Sequence, residues 1–549
     1  MPNQEFTWPE SRVYDGMRQS ASEATRRYRL LRNVDLHNRG ALTKVRGIRD
    51  MYQTPLNGGA PVNGGMDCHF QDGTQQVVLH VGDGLYRWNS GDQVFADEGR
   101  TVANEQSHGV MFANRLILMN GEDFLSMTSV GSWTTVEQLP EIEGGGDGRI
   151  PRFGAMHAER LCVAGVSGNE HYIYPSAVRD ENDFELQNII VVEVPHDPGI
   201  TNLANLGPFL VAQTQNGTIV YQKGVESPRD WGKWDVSMDI GCVSHRAWCT
   251  VSRGRGDNNR SYGFFWDRDE GPFMMMTTGG DRPVLIPLGD PIRHAIEGRE
   301  RQGLPGLATA MVDQIQAVYA PEFNQVRFSC AQAGSTENNC YLAVDVDSAI
   351  AFGAGMLEYP HWVLRDNPNL ELLQWTPAFP VSFMLPIRVG ADGYPSSLGR
   401  RATHCGRAGI LYRMDAPDTY LDLGQPIPLD IVRSGYSGRN DGLHNFNVAV
   451  AWAHLSATRV PDGRITMQIW NDGRGQSNSA DIDLSLGLTL WGRSTWGGGF
   501  WGGREFINTR ADFGINGTNF IVRLYDNGII RNTFKVDSWE LSGYVEDRR

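Results

Sequence analysis

No stretch of this chain approaches the roughly 18 consecutive apolar residues of a membrane-crossing helix. The opening "MPNQEFTWPE" also lacks the basic-then-apolar order of a secretory signal. These two absences set the expectation of a soluble protein made in a cytoplasm and not exported by the general pathway. Cysteine is sparse: there are 7, at positions 68, 162, 242, 249, 330, 340 and 405, with no C-x-x-C and no zinc spacing. An odd number without a framework fits a reducing compartment, and each reads as a small core residue.

Positive charge is also in deficit. Lys and Arg number 49 against 64 Asp and Glu, a formal net charge of −15, and no long block of one sign occurs. A general nucleic-acid binder is thereby excluded, because phosphate contacts need Lys and Arg. A duct through which DNA slides without sticking is not.

Catalytic signatures are missing too. There is no G-x-S-x-G, no H-E-x-x-H and no P-loop. A G-x-G-x-x-G string at Gly497, Gly499 and Gly502 has no helix pattern after it and reads as a chance match in a Gly-rich loop. The Ser-x-Asp-x-Gly-x-x-Trp boxes of propeller sialidases are absent. Asp345 and Asp347 in "AVDVDSA" lack the Gly and distal Glu of a calcium loop, and read as the solvated face of a strand. Asp267, Asp269 and Glu270 in "WDRDEGP" could serve as glycosidase acids, but acids are ordinary in such a turn. The sequence therefore assigns no catalytic residue, no metal ligand and no cofactor.

What the chain does have is glycine, proline and aromatics: 64 Gly, 27 Pro, 15 Trp and 17 Tyr in 549 residues. That mixture suits many short strands joined by tight turns, and the length calls for more than one core. A two-strand unit recurs. "HAERLCVAGVSGNEHYIYPSAVRDENDF", 157–184, reads as strand, turn, strand, loop, and "FANRLILMNGEDFLSMTSVGSW", 112–133, is its cousin around Asn120-Gly121. Further copies lie around Gly82–Gly84, Asn216-Gly217 and Asp269–Gly271, in 316–347 and in 408–424, making seven units between about 65 and 425. Irregular spacing rules out a strict repeat. Sheets at this density predict β-propeller blades, each unable to hide its own apolar faces. Several unrelated β-sandwiches remain the alternative.

After about 425 the strands lengthen, as in "FNVAVAWAHLSATRVPDGRITMQIWNDG", and predict a separate antiparallel sandwich. The expected fold is thus all-β. An N-terminal arm and opening hairpin (1–64) precede an irregular β-propeller (65–425) and a C-terminal antiparallel β-sandwich (426–549).

Two segments are candidates for contact. The first fifty residues carry ten basic against six acidic residues, a balance of +4 in an acidic chain. Within "RRYRLLR", Arg26, Arg27, Arg29 and Arg32 are expected on a short helix, with Arg26, Arg29 and Arg32 on one face and Tyr28 and Leu31 on its edge. Such a helix would dock on an acidic surface; a frayed, solvated terminus is the other reading. The loop "WGRSTWGGGFWGG" presents Trp491, Trp496, Phe500 and Trp501, either to a partner or bilayer or folded back on the sandwich.

Three segments carry a resemblance. "NVDLHNRGALTKVRGIR" is similar to the G-x-L-x-K/R-x-x-G strand near the N-terminus of phage tail hub proteins. "ERLCVAGVSGNEHYIYPSAVRDENDFE" resembles their RL-x-V-A-G … Y-x-S … D-x-x-F segment, and "GFFWDRDEGPFMMMTTGGDRPVLIPLGDPIRHAIE" one of their blades. Over roughly 30–549 the chain resembles the tail nozzle, or packaged-DNA-stabilisation, proteins of short-tailed bacteriophages, distantly akin to tail tubular protein B. The motifs are diffuse, and residues 1–30 fall outside the resemblance.

The resemblance implies a structural virion protein, assembled in the host cytoplasm. Six copies would form a ring below the tail adaptor, extend the DNA channel and hold the genome until ejection. Its neighbours would be the adaptor ring, tail fibre, spike or needle proteins, double-stranded DNA passing without specific binding, and the host outer surface. A tail-borne carbohydrate-active propeller (depolymerase or glycosidase) and a receptor-binding module are the alternatives.

Overall fold

The computed structural model describes residues 5–548 except 10–26, 37–40, 52–53, 143–148, 195–198, 225–226, 254–259, 278–281, 302, 371–378, 380, 418, 438–445, 461–462, 472–474, 476, 486–505, 527–529 and 532–533. The seven units read from the sequence fall in seven sheets, except that the return strand of the last (408–424), Leu421–Asp422, pairs with Gln425–Pro426 in a small sheet of its own, so that blade 7 is built further upstream. Four strands each build blade 1 (62–101), blade 2 (108–135), blade 3 (153–184, with 190–191 added), blade 4 (200–237), blade 5 (248–287) and blade 6 (316–365). Blade 7 takes three strands from 383–413 and its fourth, Arg49–Asp50, from the start of the chain, where Arg49 lies opposite Arg413 and Asp50 opposite Tyr412. The innermost strand of each blade touches that of the next, and Phe383–Val389 touches Val62–His69, so the ring closes.

The closed ring explains the recurrence. Second strands such as Arg160–Ala164, Phe209–Thr214 and Gln325–Cys330 are buried nearly throughout, because neighbouring blades cover both of their faces. Outer strands such as Asp180–Phe184 are mostly exposed. The apolar clusters accordingly lie between blades: Phe112, Ile117, Leu161 and Val163 between blades 2 and 3, and Leu79, Trp88, Phe383 and Leu411 between blades 1 and 7. Each such side chain contributes about 1.5–3 kcal/mol when covered, which a lone blade would forgo. Turns run as read at Asn120-Gly121, where Asn120 Oδ1 accepts the Glu122 and Asp123 amides. The two-residue turns Ala113-Asn114 and Ala158-Glu159 hold positive φ without any glycine.

Two long-stranded sheets form the sandwich. One carries Phe446–Thr458, Phe506–Gly517 and Lys535–Arg548, with Glu5–Pro9 and Leu42–Lys44 added to the last and Val34–Asp35 beside Leu42–Lys44. The other runs Arg27–Arg32, Leu429–Ser437, Asn519–Asp526, Arg464–Asn471, Ser477–Asp483. Ile465, Met467 and Ile469 point inward along one strand. Trp539 sits among them, donating its indole N–H to the Tyr436 hydroxyl at 2.7 Å.

Two corrections follow for the N-terminal segment. Residues 27–50 are not a separate arm: they supply strands to both sandwich sheets and close blade 7, so the propeller is inserted within the sandwich in chain order. Arg27–Arg32 is a strand, not a helix. Both of its faces are covered, Tyr28 and Leu31 by the sandwich core and Leu30 by the propeller core, and that two-sided burial overrides the helical spacing. Arg32 also pairs in parallel with Leu364 of blade 6, and the Asn33 amide donates to the Leu364 carbonyl at 2.8 Å. Blade 6 and the second sandwich sheet are therefore one nine-stranded sheet.

Candidate functional site: a basic cleft between the last blades and the sandwich

The carboxylates singled out in the sequence have structural duties. Asp267 is buried and accepts amides from Gly241, Asp269 and Glu270, which closes its turn. Burial raises its pKa against those three bonds. Glu270 pairs with Arg293 at 2.6 Å. Asp345 is not part of a solvated strand face: it caps the helix Val346–Gly353, accepting the Ser348 amide at 2.7 Å. Among the described residues no group of His, Cys, Asp and Glu is arranged to hold a metal ion. Six of the seven cysteines are buried and all are free. Among the described residues no helix is long and apolar enough to cross a membrane.

The propeller axis is narrowed by side chains. His245 and Arg246, just before blade 5, reach blades on the far side of the ring. His245 stacks on Phe153 of blade 3 at 5.1 Å between centroids and meets His108 of blade 2 edge-on at 5.2 Å. Arg246 donates to Gln316 of blade 6 and to the Ser382 carbonyl, both at 3.3 Å, and lies over the Phe383 ring of blade 7. Desolvation pulls the His108 pKa to about 4 and that of Arg246 to about 10. A duplex cannot thread a ring whose inner strands are bridged in this way, so any DNA duct has to lie outside the propeller axis.

A cleft of about 1020 Å³ opens where blades 6 and 7 meet the sandwich. Its floor is charged, buried and paired. Arg327 lies 2.7 Å from Asp415 and over the rings of Tyr341 and Phe323. Arg365 lies 2.6 Å from Asp422. Lys44 lies 2.8 Å from Asp526 and donates to the Ile530 carbonyl at 2.6 Å. Burial lowers the Lys44 pKa in spite of Asp526. In each pair a buried charge has an opposite charge beside it; losing one partner of a buried pair typically costs about 3–5 kcal/mol.

The rim is different. Arg46, Arg400, Arg401 and Arg413 line the cleft, with Arg49 beside them. Among the described residues none of these five has an ion-pair partner. Arg413 stands opposite Arg49 on adjacent strands, and Arg401 opposite Arg388. Directly opposed like charges destabilise a sheet. Burial, and then the positive charges of Arg49 and Arg46, lower the pKa of Arg413, with Glu322 opposing them. Glu322 is itself engaged, accepting the Thr403 amide and hydroxyl at 2.9 Å. The arrangement is built to receive negative charge. A second cleft of about 680 Å³, walled by Trp88, Gln76 and Arg87, has no carboxylate in its lining.

Of the predicted contact residues, Arg29 is fully buried and donates to Ser434 Oγ at 2.8 Å, and Arg32 grips Asp366 with two bonds of 2.6 and 2.5 Å. Neither is free to dock on a partner. Arg26, and the side chain of Arg27, lie outside the described residues, as do Trp491, Trp496, Phe500 and Trp501. The cleft arginines were not singled out from sequence. Two local reversals of charge signal them: the basic balance of the first fifty residues, which includes Arg46 and Arg49, and five Arg against one Asp between 383 and 413.

No family model and no curated protein matches the chain. Among solved structures it is similar to a chain of the mitotic checkpoint complex (TM-score 0.34, 10% identity, covering 67% of this chain and 97% of that one). It is also similar to the N-terminal domain of Nup159 (0.36, 9%, 74% and 99%). A third is an exo-beta-1,3-galactanase from Phanerochaete chrysosporium (0.24, 10%, 91% and 100%). Likenesses at these scores carry no argument, and the propeller is read from its own sheet order.

Proposed function

We propose that this chain is a structural virion protein, the nozzle subunit of a short-tailed phage tail, working as a ring below the adaptor and retaining packaged DNA until ejection. The observation that carries the reading is the nine-stranded sheet shared by blade 6 and the sandwich. It joins two cores through backbone hydrogen bonds, as suits a rigid part under pressure rather than two domains that move to process a substrate. The resemblance of the 33–49, 159–185 and 263–297 segments to tail hub proteins supports it from the sequence side. Because Arg246 and its neighbours bridge the propeller axis, the DNA channel in this reading is the space between copies, lined by an acidic chain along which DNA slides.

Reconstruction of intact particles by electron microscopy tests the proposal. Six copies around a channel, and particles that lose DNA when the chain is missing, are the expected results. One copy, or a trimeric spike, would refute it. The purified chain is also expected to leave capsule and lipopolysaccharide uncut. Turnover lost on changing a single Asp or Glu would turn the reading to a depolymerase.

A further inference from the structure

Charge is distributed unevenly around the propeller. Blade 7 carries Arg49, Arg388, Arg400, Arg401, Arg407 and Arg413 against Asp50 and Asp392. Blade 3 with its continuation, residues 153–193, carries seven acidic residues against two Arg. These two blades stand three apart one way round the ring and four the other, as far as two of seven blades can be. Both blades also expose apolar side chains, as do Val130 and Met356 elsewhere on the ring. Leu398, beside Arg400, is 97% exposed, whereas Val178, Leu186 and Val191 of blade 3 are 51%, 55% and 46% exposed among Asp180, Asp183 and Glu185.

We infer that the basic rim of blade 7, with Leu398 at its centre, docks on the acidic outer edge of blade 3 of a second copy of this chain. The inference rests on the ring proposed above and names its two surfaces. Opposite signs on opposite sides of one subunit make a heterologous contact, the kind that propagates round a closed ring. The rim supplies unpaired guanidinium groups, two of them in opposed like-charge pairs that a neighbour's carboxylates would relieve. Those carboxylates are on hand: Asp180, Asp183 and Glu185 are exposed. An apolar knob against an apolar patch at the middle of the contact provides burial that charge alone lacks.

Sedimentation of the full chain at low and high salt tests this, using R400E/R401E, D183K/E185K, their combination and L398D. All of these positions are exposed, so the monomer melts are expected to match wild type. Wild type is expected to form multimers that dissociate in 1 M salt, where screening acts within about 3 Å. Each charge reversal is expected to weaken association by tenfold or more, the combined swap to restore it, and L398D to weaken it again. Multimers indifferent to every reversal would overturn the interface and leave the ring reading standing. A chain monomeric at all concentrations and salts would overturn both. Failure of the swap to restore what each half removes would also refute the pairing. If R400E/R401E keeps the multimers but loses binding to a duplex DNA probe, the cleft is a phosphate site and the inference is wrong.

Discussion

Asp422→Asn is the sharpest test of how the propeller is locked to the sandwich. The Asp422 carboxylate is fully buried and ties three separate segments. Its Oδ1 accepts Arg365 from the last strand of blade 6 at 2.6 Å and the Ile48 amide, beside the strand that closes blade 7, at 3.0 Å. Its Oδ2 accepts the Asn367 side chain at 2.9 Å. Asparagine keeps the shape but removes the charge, and its NH₂ must face Arg365, Asn367 or the Ile48 amide, all of them donors. Arg365 keeps Asn33 Oδ1 at 3.2 Å and the Phe379 ring at 4.7 Å, neither of which carries a negative charge. The expected loss is that of a broken buried pair, about 3–5 kcal/mol. A melt followed by tryptophan fluorescence should fall by several degrees, since 1 kcal/mol moves a domain of 150–250 residues by roughly 2–4 °C. The double variant R365M/D422L removes both charges and should cost less than D422N alone, because no uncompensated ion remains. A D422N melt within a degree of wild type, or a double variant worse than the sum of its singles, would refute the reasoning.

Three shorter predictions concern pH, closure and the N-terminal strand. Burial pulls the fully buried His404 down to about 3, so the unfolded chain binds its proton first as pH falls below about 6.5. The stability held at neutral pH is lost on acidification, by about 2–3 kcal/mol at pH 4.5 from this residue, and His404→Gln should flatten the urea-midpoint profile between pH 7 and 4.5. Gly409→Ala should lower the melt markedly: φ is +69° there, and the added Cβ would clash with the Leu56 carbonyl oxygen, so an unchanged melt would count against the blade 7 geometry. Changing Arg26, Arg29 and Arg32 to Glu should collapse the fold rather than merely uncouple the chain from a tail, by more than about 4 kcal/mol, since Arg29 is fully buried. A normal melt for that triple variant would restore the docking-arm reading.

Local chemistry was enough to make the blades legible. Asn-Gly and Gly-Asp-Gly turns between short apolar runs depend on a few adjacent residues and mark three of the seven units, at 82–84, 120–121 and 216–217; the other four are legible from apolar runs such as "RLCVA" on either side of a polar turn. The same reasoning located the long alternating strands of the sandwich. It failed at "RRYRLLR", because spacing alone cannot tell a helix edge from a strand covered on both faces, and the strands that flank it lie some 330 and 400 residues away at Leu364 and Arg433. It failed likewise for Arg49–Asp50, whose two residues have no strand pattern and are held only by Tyr412 and Arg413. The basic cleft was out of reach for the same reason. Arg46, Arg49, Arg400, Arg401 and Arg413 are scattered along the chain, and it is closure of the ring that brings them together. Composition determined a turn-rich, all-β chain with a strongly acidic balance; only the long-range pairing of strands decided that Arg46, Arg49, Arg400, Arg401 and Arg413 would share one cleft.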